Sequence, residues 1–272
     1  MSYLGNKPSD VFPTSFTVTN ATVEGAFTSQ GIDDNANANA ITIDSSERVG
    51  ISTSSPSKEL DVVGTTRIEK SGQAINLDTP SASQNVWMNF SDNGSAKWEI
   101  QKNTANVLNI YSYDASANVM SFDGTGAITK PLQPAFQARP SGTLTDIAIN
   151  TSVNLNFASE IFDRNADYNA GGSPSTFTAP VTGVYQLNLN AYILNLDTAS
   201  NYLQIFITTS NRTYDVVIDP NFSSDLNYYH MTISALADMD ASDTAYVQAY
   251  QSGGTAQTDI SAGATFSGYL VA

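Results

Sequence analysis

Apolar and polar side chains alternate at period two along much of this chain, most regularly in its second half. In residues 184–192, Tyr185, Leu187, Leu189 and Ala191 interleave with Gln186, Asn188 and Asn190. Successive side chains of an extended strand point to opposite faces, so the spacing predicts one apolar and one polar face. Residues 202–207, 214–218, 245–250 and 266–271 repeat the pattern. Around residues 226–236 two periods compete: Leu226, Tyr229, His230, Ile233 and Leu236 have helical spacing, while Tyr229, Met231, Ile233 and Ala235 alternate. We read a strand there. Together these strands are enough for two packed sheets.

The first half is patterned in shorter pieces. Residues 40–43, 60–63 and 74–77 read as brief strands between Gly, Pro, Ser and Asn clusters. Residues 85–90 and 96–100 flank Asp92-Asn93-Gly94, and because Asn-Gly readily supplies the positive φ angles of a tight turn, a hairpin is expected. Residues 107–111 and 119–122 continue it as a meander. Pro131 and Pro134 then stiffen the chain and remove two backbone donors. They place a domain boundary between residues 134 and 135.

Composition narrows the chemistry. The chain has 272 residues, 41% of them hydrophobic, with 26 acidic against 11 basic side chains and a net charge of −15. A sizeable core is affordable at that length, but no cationic surface for nucleic acid or anionic lipid is expected. The absence of cysteine excludes thiol catalysis, a disulfide scaffold and a zinc ribbon. No basic stretch followed by an apolar one opens the chain, and no apolar run approaches the roughly 20 residues that span a bilayer. Neither a signal peptide nor membrane insertion is expected.

Candidate chemistry is sparse. His230 is the single imidazole on which a Ser-His-Asp device would depend; on the strand reading it shares a polar face with Tyr228, Thr232 and Ser234. Asp238, Asp240 and Asp243 offer carboxylates of the kind calcium takes, yet lack the glycine and terminal Glu of a helix-loop-helix calcium loop. Their simpler reading is a solvated turn. Asp163 and Asp167 flank Arg164 and suggest local ion pairs. Asn221, Asp225 and Tyr228 are candidate receptor contacts, since amide and aromatic side chains in an exposed loop suit sugar binding. No catalytic residue and no cofactor are expected, calcium at the three aspartates being the one open possibility.

Two stretches carry a family resemblance. Phe157, Asp163, Tyr168, Phe177, Gly183 and Tyr185 follow the signature of the complement C1q globular head, a relative of the tumour-necrosis-factor jelly rolls. The pattern runs Phe, five residues, Asn or Asp, four residues, an aromatic, six residues, Phe, five residues, then Gly-x-Tyr. Phe177 comes two residues late, which the loop at 170–174 can absorb, and Leu187 and Leu189 replace the family's aromatics. Phe266 and Gly268 lie in an ending similar to the family's. Upstream, residues 48–65, with Val49-Gly50-Ile51, Pro56, Leu60, Val62 and Gly64, resemble the V-G-I-G-T-x-x-P-x-x-x-L-x-V-x-G element of bacteriophage fibre shafts, with Ser52 in place of the second glycine. The Met1 to Asn6 start, Asp33-Asp34-Asn35 and residues 40–46 share that look.

The resemblances imply an all-β, homotrimeric protein with an N-terminal β stalk of short strands and hairpins and a C-terminal C1q/TNF-like jelly roll. Residues 1–30 would attach to other virion proteins, 31–134 would form the shaft, its short strands needing three chains to hide their apolar faces, and 135–272 would form the head. The implied role is a phage virion fibre, assembled in the bacterial cytoplasm and released by lysis, whose head binds a host cell-surface glycan or protein. The alternatives are a capsid-decorating or collar fibre with a structural role, and a glycan depolymerase.

Overall fold

The computed structural model describes residues 40–272. The expected attachment segment 1–30, the Met1 to Asn6 start and Asp33-Asp34-Asn35 lie outside the described residues. Every regular element among the described residues is a strand, and the described residues divide between Asn76 and Leu77 into two compact units.

In the first unit, β1 (Ile41–Ile43), β2 (Val49–Ile51) and β3 (Leu60–Val62) form one sheet in that order, β1 antiparallel and β3 parallel to β2. Asp44 closes the β1–β2 turn: its carboxylate accepts the N–H groups of Ser46 and Arg48 and pairs with the Arg48 guanidinium at 2.6 Å. Gly50 approaches Thr53 so closely that a Cβ would stand 2.6 Å from the Thr53 carbonyl oxygen. Ser52 takes a φ of 59°, so the serine itself adopts the left-handed conformation that a glycine would reach without strain. The strand expected at 74–77 does not form; Ile75 and Leu77 are exposed and belong to no sheet. Four alternating residues with no neighbour to complete their hydrogen bonds do not hold an extended ladder.

The second unit begins with a five-stranded meander: β4 (Val86–Asp92), β5 (Ser95–Lys102), β6 (Leu108–Ser112), β7 (Ala117–Phe122) and β8 (Ile128–Thr129), each antiparallel to the next. Asn93 and Gly94 make the first turn with φ of 46° and 81°, the pair of positive angles that matches strand twist in a two-residue hairpin.

The rest is a two-sheet sandwich. Its strands are β9 (Ala135–Arg139), β10 (Ser152–Asn154), β11 (Ser159–Asp163), β12 (Tyr168–Asn169), β13 (Thr176–Thr178), β14 (Gly183–Leu196), β15 (Tyr202–Thr209), β16 (Thr213–Ile218), β17 (Leu226–Met239), β18 (Thr244–Ser252), β19 (Asp259–Ile260) and β20 (Thr265–Leu270). One sheet runs β11-β9-β20-β14-β17 with β19 on β14; the other runs β12-β13-β18-β15-β16 with β10 on β18. The ambiguous 226–236 stretch is the 14-residue strand β17, paired along almost its whole length with β14. Strand period prevails because Met231, Ile233, Ala235, Ala237 and Met239 all reach the core.

Between the sheets, Tyr185, Leu187, Leu189, Ala191 and Ile193 of β14 and the β17 set face Leu203, Ile205, Ile207, Ala245, Val247 and Ala249. Phe136 centres an aromatic cluster, 4.9 Å from Tyr168, 4.7 Å from Phe177 and 5.1 Å from Phe266 between ring centroids. Close-packed rings of this kind hold the two sheets in one register. The connection from β8 is pinned beneath the sandwich: Asn165 donates its side-chain amide to the Leu132 carbonyl at 2.8 Å, and Gln133 donates to the Leu270 carbonyl at 2.8 Å.

Candidate binding surface at the distal loops

Strand direction decides which loops share an end. Residues 130–134, the loop around 179–182, the turn at 240–243 and the C-terminus gather at the end where the chain enters. β14 leaves that end at Gly183 and runs 14 residues, about 45 Å, before turning. At the far end the loops 197–201, 219–225 and 253–258 meet the 140–150 connection, which Leu144 and Asn150 tie in through backbone hydrogen bonds to Ile260 and Gln251.

Asp225 clamps three of these segments. One carboxylate oxygen accepts the Thr198 N–H at 2.9 Å and the Thr198 hydroxyl at 2.6 Å, and the other accepts the Gln257 side-chain amide at 2.7 Å. The Thr198 hydroxyl, then its N–H, then Gln257 hold the Asp225 carboxyl below the usual carboxylate range. Beneath this clamp, Asp197 is buried and accepts the N–H groups of Ala199 and Thr255 and the Gln251 amide. Gly253 and Gly254 turn at φ of 68° and 75°, and a Cβ on Gly254 would collide with the Asp197 carboxylate. The result is a braced loop surface whose four segments contain no Lys or Arg.

The candidate contacts occupy different positions in this arrangement. Asn221 is exposed in the 219–225 loop, beside Phe222, whose ring is 40% exposed and packs 6.2 Å from Tyr229. Asp225 is exposed but committed to its three hydrogen bonds. Tyr228 belongs to strand β17 rather than a loop, opposite Leu194 of β14, and is 69% exposed on the sheet's outer face with its ring 6.1 Å from Tyr192. Thr198, Phe222 and Gln257 escaped the sequence reading, although Asp-Pro-Asn-Phe-Ser-Ser-Asp between two strands marks an exposed loop.

Elsewhere the polar residues serve the fold. His230 stacks on Tyr192 at 4.3 Å, with Nδ1 3.1 Å from Asn190 Oδ1. Asp238, Asp240 and Asp243 do not converge: Asp238 projects from the outer face of β17, while Asp243 accepts the Asp240 N–H at 2.9 Å and the Asn211 side-chain amide at 2.6 Å. Among the described residues no group of three or more His, Cys, Asp or Glu is arranged to hold a metal. Asp163 and Asp167 make no ion pair with Arg164, whose guanidinium lies 5.9 Å over the Phe162 ring. Asp163 instead accepts the Tyr168 N–H at 2.8 Å, and burial, then the Asp163 charge, pushes the Asp167 carboxyl up.

The signature residues line the core or its tight spots. Phe157, Tyr168, Phe177, Tyr185 and Phe266 are buried; Tyr168 donates its hydroxyl to the Phe157 carbonyl at 3.0 Å and Tyr185 to the Val181 carbonyl at 2.7 Å. Burial raises the phenol of Tyr168 above its ordinary value. At Gly268 a Cβ would come within 2.7 Å of Leu187 and 2.8 Å of Phe136, and at Gly183 within 2.5 Å of the Ala272 carbonyl oxygen.

A two-sheet jelly-roll sandwich closed on an aromatic core is the architecture of the C1q heads. The chain belongs to the C1q domain family, whose model matches residues 135–271. Among solved structures it is similar to the globular domain of the zebrafish complement 1qA protein, at 17% identity over 52% of this chain and 98% of that one, TM-score 0.37. It is also similar to murine APRIL, at 11% identity over 51% of this chain and 99% of that one, TM-score 0.37. No match was found among curated proteins. C1q-like domains form homotrimers, bind receptors and are typically non-enzymatic.

Proposed function

We propose that this protein is a homotrimeric bacteriophage fibre whose C-terminal head binds a glycan or protein on the host cell surface. The observation that carries the reading is the joining, in one chain, of a shaft-like element at 48–65 to a C1q domain at 135–271. Residues 1–30 would attach to the virion, and the segment to residue 134 would carry the head outward. The braced loops 197–201, 219–225 and 253–258 stand at the end of the sandwich away from the incoming chain, where a fibre presents its tip. Three such tips on one stalk raise the effective concentration of each, so weak single contacts suffice for attachment.

The test is competition. The purified full chain is added to host bacteria before the phage: blocked adsorption supports the reading, and loss of blocking on Asn221→Ala with Phe222→Ala, at unchanged melting, assigns it to the distal loops. A chain that binds no host cell and whose antibody labels the capsid instead of the tail makes it a decorating or collar fibre. Release of reducing sugars from host envelopes would make it a depolymerase.

A further inference from the structure

The meander of β4 to β8 has two unlike faces. Cross-strand register puts Met88 and Phe90 beside Ile100 and Trp98, Ile100 beside Ile110, Ile110 beside Met120, and Leu108 beside Phe122, itself opposite Ile128. The other face carries Trp87, Asn89, Glu99, Gln101, Asn109, Tyr111 and Ser121, and it is internally hydrogen bonded: Tyr113 donates to Glu99 at 2.8 Å and Ser121 to Asn109 at 2.7 Å. The apolar face is therefore built as a core face. Yet Met88, Phe90, Trp98, Ile100, Leu108 and Ile128 are between a third and three-fifths exposed.

We infer that this face is a self-association surface, covered by the same sheet of two further copies of the chain. The stoichiometry rests on the trimeric reading above. Three observations select a copy of this chain as the occupant. The face carries one carboxylate, Asp92, and one cation, Lys102, each at its rim and none at its centre; in a chain of net charge −15, copies meet most cheaply where acidic groups are fewest. Only residues 130–134 separate β8 from β9, so heads that associate bring their three sheets together at high effective concentration. The six side chains expose on the order of 500 Å² of apolar surface, large for a monomer but below the roughly 800 Å² per partner of a self-standing interface. A face of that size fits an interface that extends one begun at the head.

The chain's composition supplies a clean test, because it has no cysteine and two tryptophans, one on each face. In the full chain, Ile100→Cys is expected to give a disulfide-linked dimer on mild oxidation, with the third chain left unlinked, while Gln101→Cys on the opposite face stays monomeric on a denaturing gel. Independently, acrylamide should quench the Trp87→Phe variant, which keeps Trp98, several-fold less than the Trp98→Phe variant, which keeps Trp87. Equal cross-linking of the two cysteine variants and equal quenching of the two tryptophans, in a chain of trimeric mass, would overturn the assignment and leave the trimeric head intact. A monomeric mass would overturn both.

Discussion

Tyr185 is fully enclosed, its ring 5.4 Å from that of Phe177 and its hydroxyl satisfied by Val181. Tyr185→Ala is expected to cost about 3–5 kcal/mol, as for other buried aromatics, whereas His230→Ala removes an exposed stack on Tyr192 and an exposed contact with Asn190 and should cost about 0.5–1 kcal/mol; thermal melting of both variants measures the contrast. Gly268→Ala forces a methyl against Leu187 and Phe136 and should cost about 1–3 kcal/mol by overpacking. Ser52 gives the opposite sign. Its φ of 59° is strained for a residue with a Cβ, so Ser52→Gly should stabilise its element by up to about 1 kcal/mol, read as slower proteolysis between β2 and β3.

At the scale of elements, the distal loops hang on the Asp225 carboxylate. Hydrogen bonds from Thr198 and Gln257 depress its pKa in the folded chain, so the clamp contributes fully above the ordinary carboxylate value of about 3.9 and is lost as pH falls through the depressed one. The melting difference between the wild type and Asp225→Asn should accordingly be fully present at neutral pH and shrink as pH falls below the ordinary carboxylate value. Gly254→Ala tests the same loops from beneath, since its Cβ would displace the Asp197 carboxylate; on the proposed fibre reading it should weaken host binding while leaving the distant Phe136 cluster, read by near-ultraviolet circular dichroism, unchanged.

For the whole molecule, the expected species in solution is a trimer of three times 29.0 kDa, measurable by light scattering. Three chains bring three times −15 in charge, so added salt should strengthen assembly by screening. The sandwich owns an aromatic core within residues 136–266, and residues 135–272 expressed alone should fold and associate; on the proposed fibre reading they should also compete with virions for host cells. An unfolded product would show that the head needs the preceding connection, which Leu132 and Gln133 pin to it.

Period-two alternation was enough to determine which side of β14, β15 and β18 enters the core, and Asn93-Gly94 was enough to determine the β4–β5 hairpin, because both depend on neighbours a few residues away; in β17, where two periods compete, pairing with β14 decided. The spacing of Phe157, Tyr168, Phe177 and Tyr185 was legible as a family signature for a related reason: buried rings must recur at fixed intervals to meet in one core. Strand order decided the rest. Residues 74–77 alternate but find no neighbour, Asp238 and Asp243 are close in sequence yet turn to different partners, and Tyr228 falls inside a strand. Asp225 meets Thr198 and Gln257 only because three antiparallel returns end at the same edge of the sandwich. Where an exposed carboxylate finds its donors depends on which distant segments the sheets bring together, and side-chain periodicity along one strand carries no record of that.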